Sequence, residues 1–278
     1  MIVDYHMHLR RPGDGEAELI DHTADAAERF VEVAAERGVD EIGFTEHVYY
    51  FRQTRELWLQ PYYVDRCIYD LDVYVDAVLE AKRRGLPVKL GLEVDYVPGR
   101  ERETQDLLAP YPWDFLLGSV HDIEGHAIDS DPEGGMWKHF PVEEVWRRYF
   151  IALRGAARSG LFDALSHPDL VKLFGRKPAP SEVFLHHDET ADAIEAAGGL
   201  AVEVSTAGLH RPVGEIYPDR GLLEACHARG IPITTASDAH VPENVGRDLD
   251  RAVQHARAAG YSTVTVFEGR KARQEPLG

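Results

Sequence analysis

The 278-residue chain carries 30 Lys and Arg against 48 Asp and Glu, a formal charge of −18, with 44% hydrophobic and 28% charged residues. This is the composition of a folded globular protein, and the acidic surplus opposes a nucleic-acid backbone or an anionic membrane surface, both of which are held by excess Lys and Arg. No run approaches the roughly 18–20 uncharged apolar residues that a membrane span needs. Asp4, His6 and His8 stand where a signal peptide would have a basic head and an unbroken apolar core, so the expected location is the cytoplasm.

The first apolar run, "IVDYH", reads as a strand. Residues 22 to 37 follow as an amphipathic helix with Ala27, Phe30, Val31 and Ala34 on one face, and Gly38 stands where a left-handed C-cap belongs. "VDEIGF" is then the next strand. The same punctuation returns at Gly85 before "LPVKLGLE", Gly160 before "LFDALSH", Gly198 before "GLAVEVS", Gly230 before "IPITTASD" and Gly260 before "YSTVTVF". With "DFLLGSV" added, the chain reads as seven or eight strands alternating with helices, which means a parallel sheet buried on both faces. So many strands in this length favour a closed barrel over an open doubly wound sheet. No low-complexity linker divides the chain, so residues 1–278 are read as one domain.

Two connections are long: 49–70, rich in aromatics, and 122–140, rich in Asp and Gly. Both are expected to overhang a site. Cys67 and Cys226 lie far apart with no CxxC spacing, which disfavours a disulfide framework and a thiolate zinc site.

The chemistry-bearing residues fall at the strand ends. His6 and His8 close the first strand, Glu46 and His47 follow "IGFT", and Glu93 follows "KLGL". His121 follows "LLGSV", His167 follows "DALS", and Asp238 and His240 follow "ITTAS". In a parallel barrel all strand C-termini open on one face, so these residues converge. Any one of these histidines alone reads as a packing residue; six at strand ends with carboxylates read as a divalent metal centre of imidazole nitrogen and carboxylate oxygen. Without cysteine, an open catalytic site is favoured over a closed structural one. Most of the other eight histidines are expected to be solvated, with His210, beside Arg211, the one to watch.

The motifs "DYHMHL", "FTEH", "GLEVDYVPG", "YPWDFLLGSVH", "LSHPDLVKLFG", "VSTAGLHRPVGEIYP" and "SDAHVPENVG" occur in order over nearly the whole chain. With them the sequence resembles the polymerase and histidinol phosphatase (PHP) superfamily, in its monofunctional histidinol-phosphatase branch. The resemblance implies a distorted (β/α)7 TIM-like barrel with two or three divalent ions (Zn, Fe or Mn). One ion would be held by His6, His8, Glu93 and Asp238. A second would take Glu93 as a bridge with His121 and His167. A third would take His47 and His240, with Asp14 as its remaining ligand and His22 as a weaker candidate. Glu46 is taken as a supporting acid.

The implied activity is hydrolysis of L-histidinol phosphate to L-histidinol and phosphate in histidine biosynthesis, by a metal-activated hydroxide held beside Glu93 and Asp238. The resemblance further implies that Arg211, Lys172 and Arg176 reach the phosphate, and that Asp129 or Glu215 receives the substrate ammonium. The expected partner is a small phosphorylated substrate, neither nucleic acid nor membrane. Rival readings are a phosphoesterase acting on nucleotides or other small esters, and a non-catalytic metal-binding module.

Overall fold

The computed structural model describes residues 1–12, 18–131 and 133–278. Seven short parallel strands run around it in chain order: β1 (Val3–Asp4), β2 (Glu41–Phe44), β3 (Val88–Leu90, resuming at Glu93–Asp95), β4 (Leu117–Ser119), β5 (Ala164–Leu165), β6 (Ala201–Ser205) and β7 (Ile233–Ala236). Each pairs with the next, for example Asp4 with Ile42, Ile42 with Val88, Glu93 with Leu117, and Val202 with Ile233. The last strand returns to the first: Tyr5 N–H donates to the Thr235 carbonyl at 3.0 Å, and Met7 bridges Ala239 in parallel. This closure excludes the open doubly wound sheet and gives a (β/α)7 barrel.

A principal helix follows each strand: α1 (Ala24–Glu36), α2 (Leu71–Arg83), α3 (Glu101–Leu108), α4 (Val142–Arg158), α5 (Pro180–Ala197), α6 (Arg220–Ala228) and α7 (Leu249–Ala258). Thr23 caps α1 by accepting from Ala26 N–H at 3.1 Å, and Ala27, Phe30 and Ala34 form its buried stripe. Gly38 ends it at φ +71° and Gly85 ends the α2 region at +84°, conformations that a Cβ would penalise.

One expected barrel strand is something else. "TVTVFE" is β8 (Thr263–Glu268), paired antiparallel with β9 (Lys271–Pro276) in a hairpin laid across the N-terminal ends of the barrel strands. Arg270 N–H donates to the Asp114 carbonyl, and Gly278 N–H to Met1. The Phe267 ring packs on Tyr5 and Phe115 at 5.8 and 5.3 Å, sealing the end opposite the site. No helix among the described residues is long and apolar enough to cross a membrane.

Candidate active site

The C-terminal ends of the strands gather His6, His8, His47, Glu93, His121, His167, Asp238 and His240. Asp14, expected with them, lies outside the described residues. Glu93 is the hub. Its Oε1 lies 3.0 Å from His167 Nε2 and 3.4 Å from His121 Nε2; its Oε2 lies 2.6 Å from His47 Nδ1 and 3.3 Å from His6 Nε2. Asp238 Oδ1 stands 3.3 Å from His8 Nε2 and 3.7 Å from His6 Nε2.

Donor atoms fall within 4.8 Å of one another in four overlapping sets: His6, His8 and Asp238; His6, Glu93 and His167; His47, Glu93 and His121; and His8, His47 and His240. The first, second and fourth contain the core of the three expected ligand groups. The third shows His47 turned also toward Glu93, nearer the middle of the cluster than a peripheral third site would put it.

Three features fit these residues to divalent cations. First, His6 Nε2, His47 Nδ1 and Glu93 Oε2 are buried without a hydrogen-bond partner, although His47 and Glu93 almost touch. Buried polar atoms are left unpaired at a cost, and a cation among them removes it. Second, the other ring nitrogen of three histidines is tied to a buried carboxylate: His6 Nδ1 to Glu203 at 2.8 Å, His8 Nδ1 to Glu46 at 3.1 Å and His121 Nδ1 to Asp95 at 2.9 Å. This fixes each tautomer and aims Nε2 at the cluster, the arrangement seen around metal-ligating histidines. Third, His167 (φ +24°) and Asp238 (φ +56°) hold backbone conformations that L residues avoid, strain that concentrates at functional sites.

The electrostatics point the same way. Burial alone would raise the Glu93 carboxyl and the Asp238 carboxyl, yet neighbouring imidazoles hold both well below the usual range. Burial would likewise lower His121, but Asp95 and Glu93 lift it to about 10. Without a cation the carboxylates favour protons on His6, His8 and His121, while burial pushes His47 and His240 down; a bound dication replaces those protons as the balancing charge.

Glu203 and Asp95 were missed in the sequence. Both sit on barrel strands, Glu203 fully buried inside "AVEVS", and a carboxylate in so apolar a run is the one available signal. A Glu203→Gln variant is expected to weaken metal affinity about 10–100-fold while the fold persists, read by competition with a chromogenic chelator and by circular dichroism.

The long connections do overhang the site. Tyr49 stacks on His47 at 4.7 Å, and Ile128 N–H donates to the His121 carbonyl. Among the substrate-binding expectations, Arg211 is exposed and makes no ion pair among the described residues, and its charge reaches the buried Tyr217 phenol together with that of Asp238. Asp129 is exposed beside His121 and Tyr49, which both feel its charge.

Three of the expected substrate contacts already have charged partners within the protein. Lys172 is fully buried, its ammonium bonded to Asp169 at 2.8 Å and to the Ile216 carbonyl at 2.8 Å, and it lies 3.3 Å from Glu215. Arg176 is paired with Glu133 and lies over the Trp137 ring at 5.7 Å. Glu215 is chelated by Lys177 at 2.7 and 2.8 Å. The Lys172 charge is enclosed within the protein, whereas the pairs of Arg176 and Glu215 face solvent. A Lys172→Met variant should therefore act on stability: it strands buried Asp169 and is expected to cost about 3–5 kcal/mol in urea unfolding.

The remaining histidines also depart in part from the solvated expectation. His22 is buried against Glu46 at 3.5 Å, one step behind His8. His186 and His187 are buried against Phe150. His210 is paired with Asp248 at 2.7 Å.

Comparison with known proteins agrees with this geometry. The PHP domain family matches residues 4–207, and the PHP-associated family matches residues 222–248. A probable histidinol-phosphatase of Deinococcus radiodurans is 33% identical over 275 residues, covering 97% of this chain and 98% of that protein. Histidinol phosphate phosphatase of Lactococcus lactis, solved in complex with Zn, L-histidinol and phosphate, superposes with a TM-score of 0.74 at 20% identity over 98% of each chain. A putative histidinol phosphatase of Listeria monocytogenes gives 0.74 at 21% identity, over 90% of this chain and 99% of that one. With its barrel, its strand-end histidines and these relatives, the chain belongs to the PHP family, in its histidinol-phosphatase branch.

Proposed function

We propose that this protein, as one PHP domain over residues 1–278, hydrolyses L-histidinol phosphate to L-histidinol and phosphate in histidine biosynthesis in the cytoplasm. The observation that carries the reading is the Glu93 hub, with four imidazoles from four strands turned onto one buried carboxylate. His6, His8, Glu93 and Asp238 would hold one divalent ion, Glu93, His121 and His167 a second, and His47 and His240 a third, with Zn, Fe or Mn each compatible with this donor set. Such ions, when bound, supply Lewis acidity toward phosphoryl oxygens and make water acidic enough to react near neutral pH.

The chain's own residues do the rest. Glu203, Glu46 and Asp95 hold three imidazoles in the tautomer that leaves Nε2 free. Water adds its oxygen to phosphorus, the ester P–O bond breaks, and the departing alkoxide takes a proton to leave as L-histidinol. Arg211 would bind the phosphate as a free cation at the mouth, and Asp129 would receive the substrate ammonium. Arg211→Ala is expected to lower kcat/KM about 10–100-fold with bound metal unchanged, as loss of one charge-assisted hydrogen bond requires.

The test is phosphate release from L-histidinol phosphate beside sugar, amino-alcohol and nucleotide monoesters. A kcat/KM preference of several orders for L-histidinol phosphate supports the reading. Activity confined to the other esters discards the substrate and keeps the metal chemistry.

A further inference from the structure

Asp95, the carboxylate on the Nδ1 side of His121, also lines a cavity of about 610 Å3, within the size range of small-molecule sites. It opens between the segment after β3, the 122–127 turn and α4. Trp58, Asp95, Tyr96, Asp122 and Arg158 are among the residues that line it.

Asp95 is 4% exposed. Its Oδ1 is spent on His121 Nδ1 at 2.9 Å, while its Oδ2 is buried and has no hydrogen-bond partner. Asp122 adds a second carboxylate, with one oxygen taking the Gly125 N–H at 2.7 Å. On the rim, Arg147 and Arg148 are both committed to Glu144. Arg158 is exposed and has no ion-pair partner among the described residues. Carboxylates within, a free guanidinium at the rim and two aromatic side chains in the wall make a bipolar site.

The geometry points to a binding site for a small zwitterion of the cationic amino-acid class, its cationic side chain on Asp95 and Asp122 and its carboxylate on Arg158. Buried acceptors that lack a partner take a charged donor, and a guanidinium pairs with a carboxylate through two parallel hydrogen bonds.

The site is also coupled to the reaction, a consequence that rests on the hydrolytic reading above. Asp95 is the carboxylate that orients His121, so a cation on Oδ2 competes for the same charge and alters the aim of that imidazole. Occupancy therefore lowers kcat for the phosphate ester.

Calorimetry of L-arginine and L-lysine against the metal-loaded protein, with L-leucine as control, tests the binding. Saturable binding of the cationic amino acids is expected, weakened about tenfold by Arg158→Ala and abolished by Ala152→Phe, which fills the cavity from the α4 surface. Arg158 is exposed, so its variant keeps the fold; thermal melts check the other. No saturable heat with L-arginine or L-lysine overturns the proposal, as does binding that survives both substitutions. A kcat unchanged at saturation overturns the coupling. If L-histidinol phosphate proves not to be a substrate, the calorimetry still reads the cavity by itself.

Discussion

A Glu93→Gln variant is expected to lose at least roughly a thousandfold in kcat/KM for L-histidinol phosphate, about 4 kcal/mol of transition-state stabilisation. The amide keeps the shape of the side chain but removes its charge and replaces one acceptor oxygen with a donor. Both Glu93 oxygens face imidazoles, Oε1 those of His121 and His167 and Oε2 those of His6 and His47, so neither position tolerates an NH2 group if cations lie between them. Bound metal should fall in the same variant, measured by elemental analysis. Activity within tenfold of the parent, with full metal, would remove Glu93 from its role as bridge.

The second large effect is on the whole molecule. Stripping the ions with a chelator is expected to abolish hydrolysis and to lower Tm by roughly 8–16 °C. The estimate takes about 4 kcal/mol for one ion at a thousandfold excess over its Kd and about 2–4 °C per kcal/mol in a chain of this size. The physical cause is local: His6 Nε2, His47 Nδ1 and Glu93 Oε2 are buried and unpaired without a cation. Adding back Zn or Mn should restore both quantities together. A Tm indifferent to chelation would mean that the cluster is balanced by its own protons.

The barrel and most of the candidate cluster could be read in the sequence, because both rest on local signals. A glycine after six of the seven principal helices and a histidine or carboxylate at the end of six of the seven barrel strands mark the strand ends, and parallel closure brings them together. The supporting acids have no such signal. Glu203 meets His6 across 197 positions of chain, and nothing in "AVEVS" tells which imidazole lies opposite.

The partners of the charges expected to face substrate are hidden in the sequence for a related reason. A lysine in sequence looks free; in the fold Lys172 is enclosed by Asp169, Glu215 and the Ile216 carbonyl, and whether a cation is desolvated and paired is a tertiary property. The hairpin failed on period: "TVTVF" alternates alike in a barrel strand and in an antiparallel pair, and only the partner strand, Lys271–Pro276, decides between them. His186 and His187 show the same limit, since helix α5 turns them toward Phe150 rather than toward water.

Anomalous diffraction at the zinc and manganese edges, from crystals grown with phosphate, is the measurement to make first. Peaks are expected among His6, His8 and Asp238 and among Glu93, His121 and His167, with a further peak between His47 and His240 if the third ion is held. Peaks absent from the strand ends, or found only beside Asp169, His187 and Asp219, the other described group with metal-ligand spacing, would contradict the metal centre proposed here.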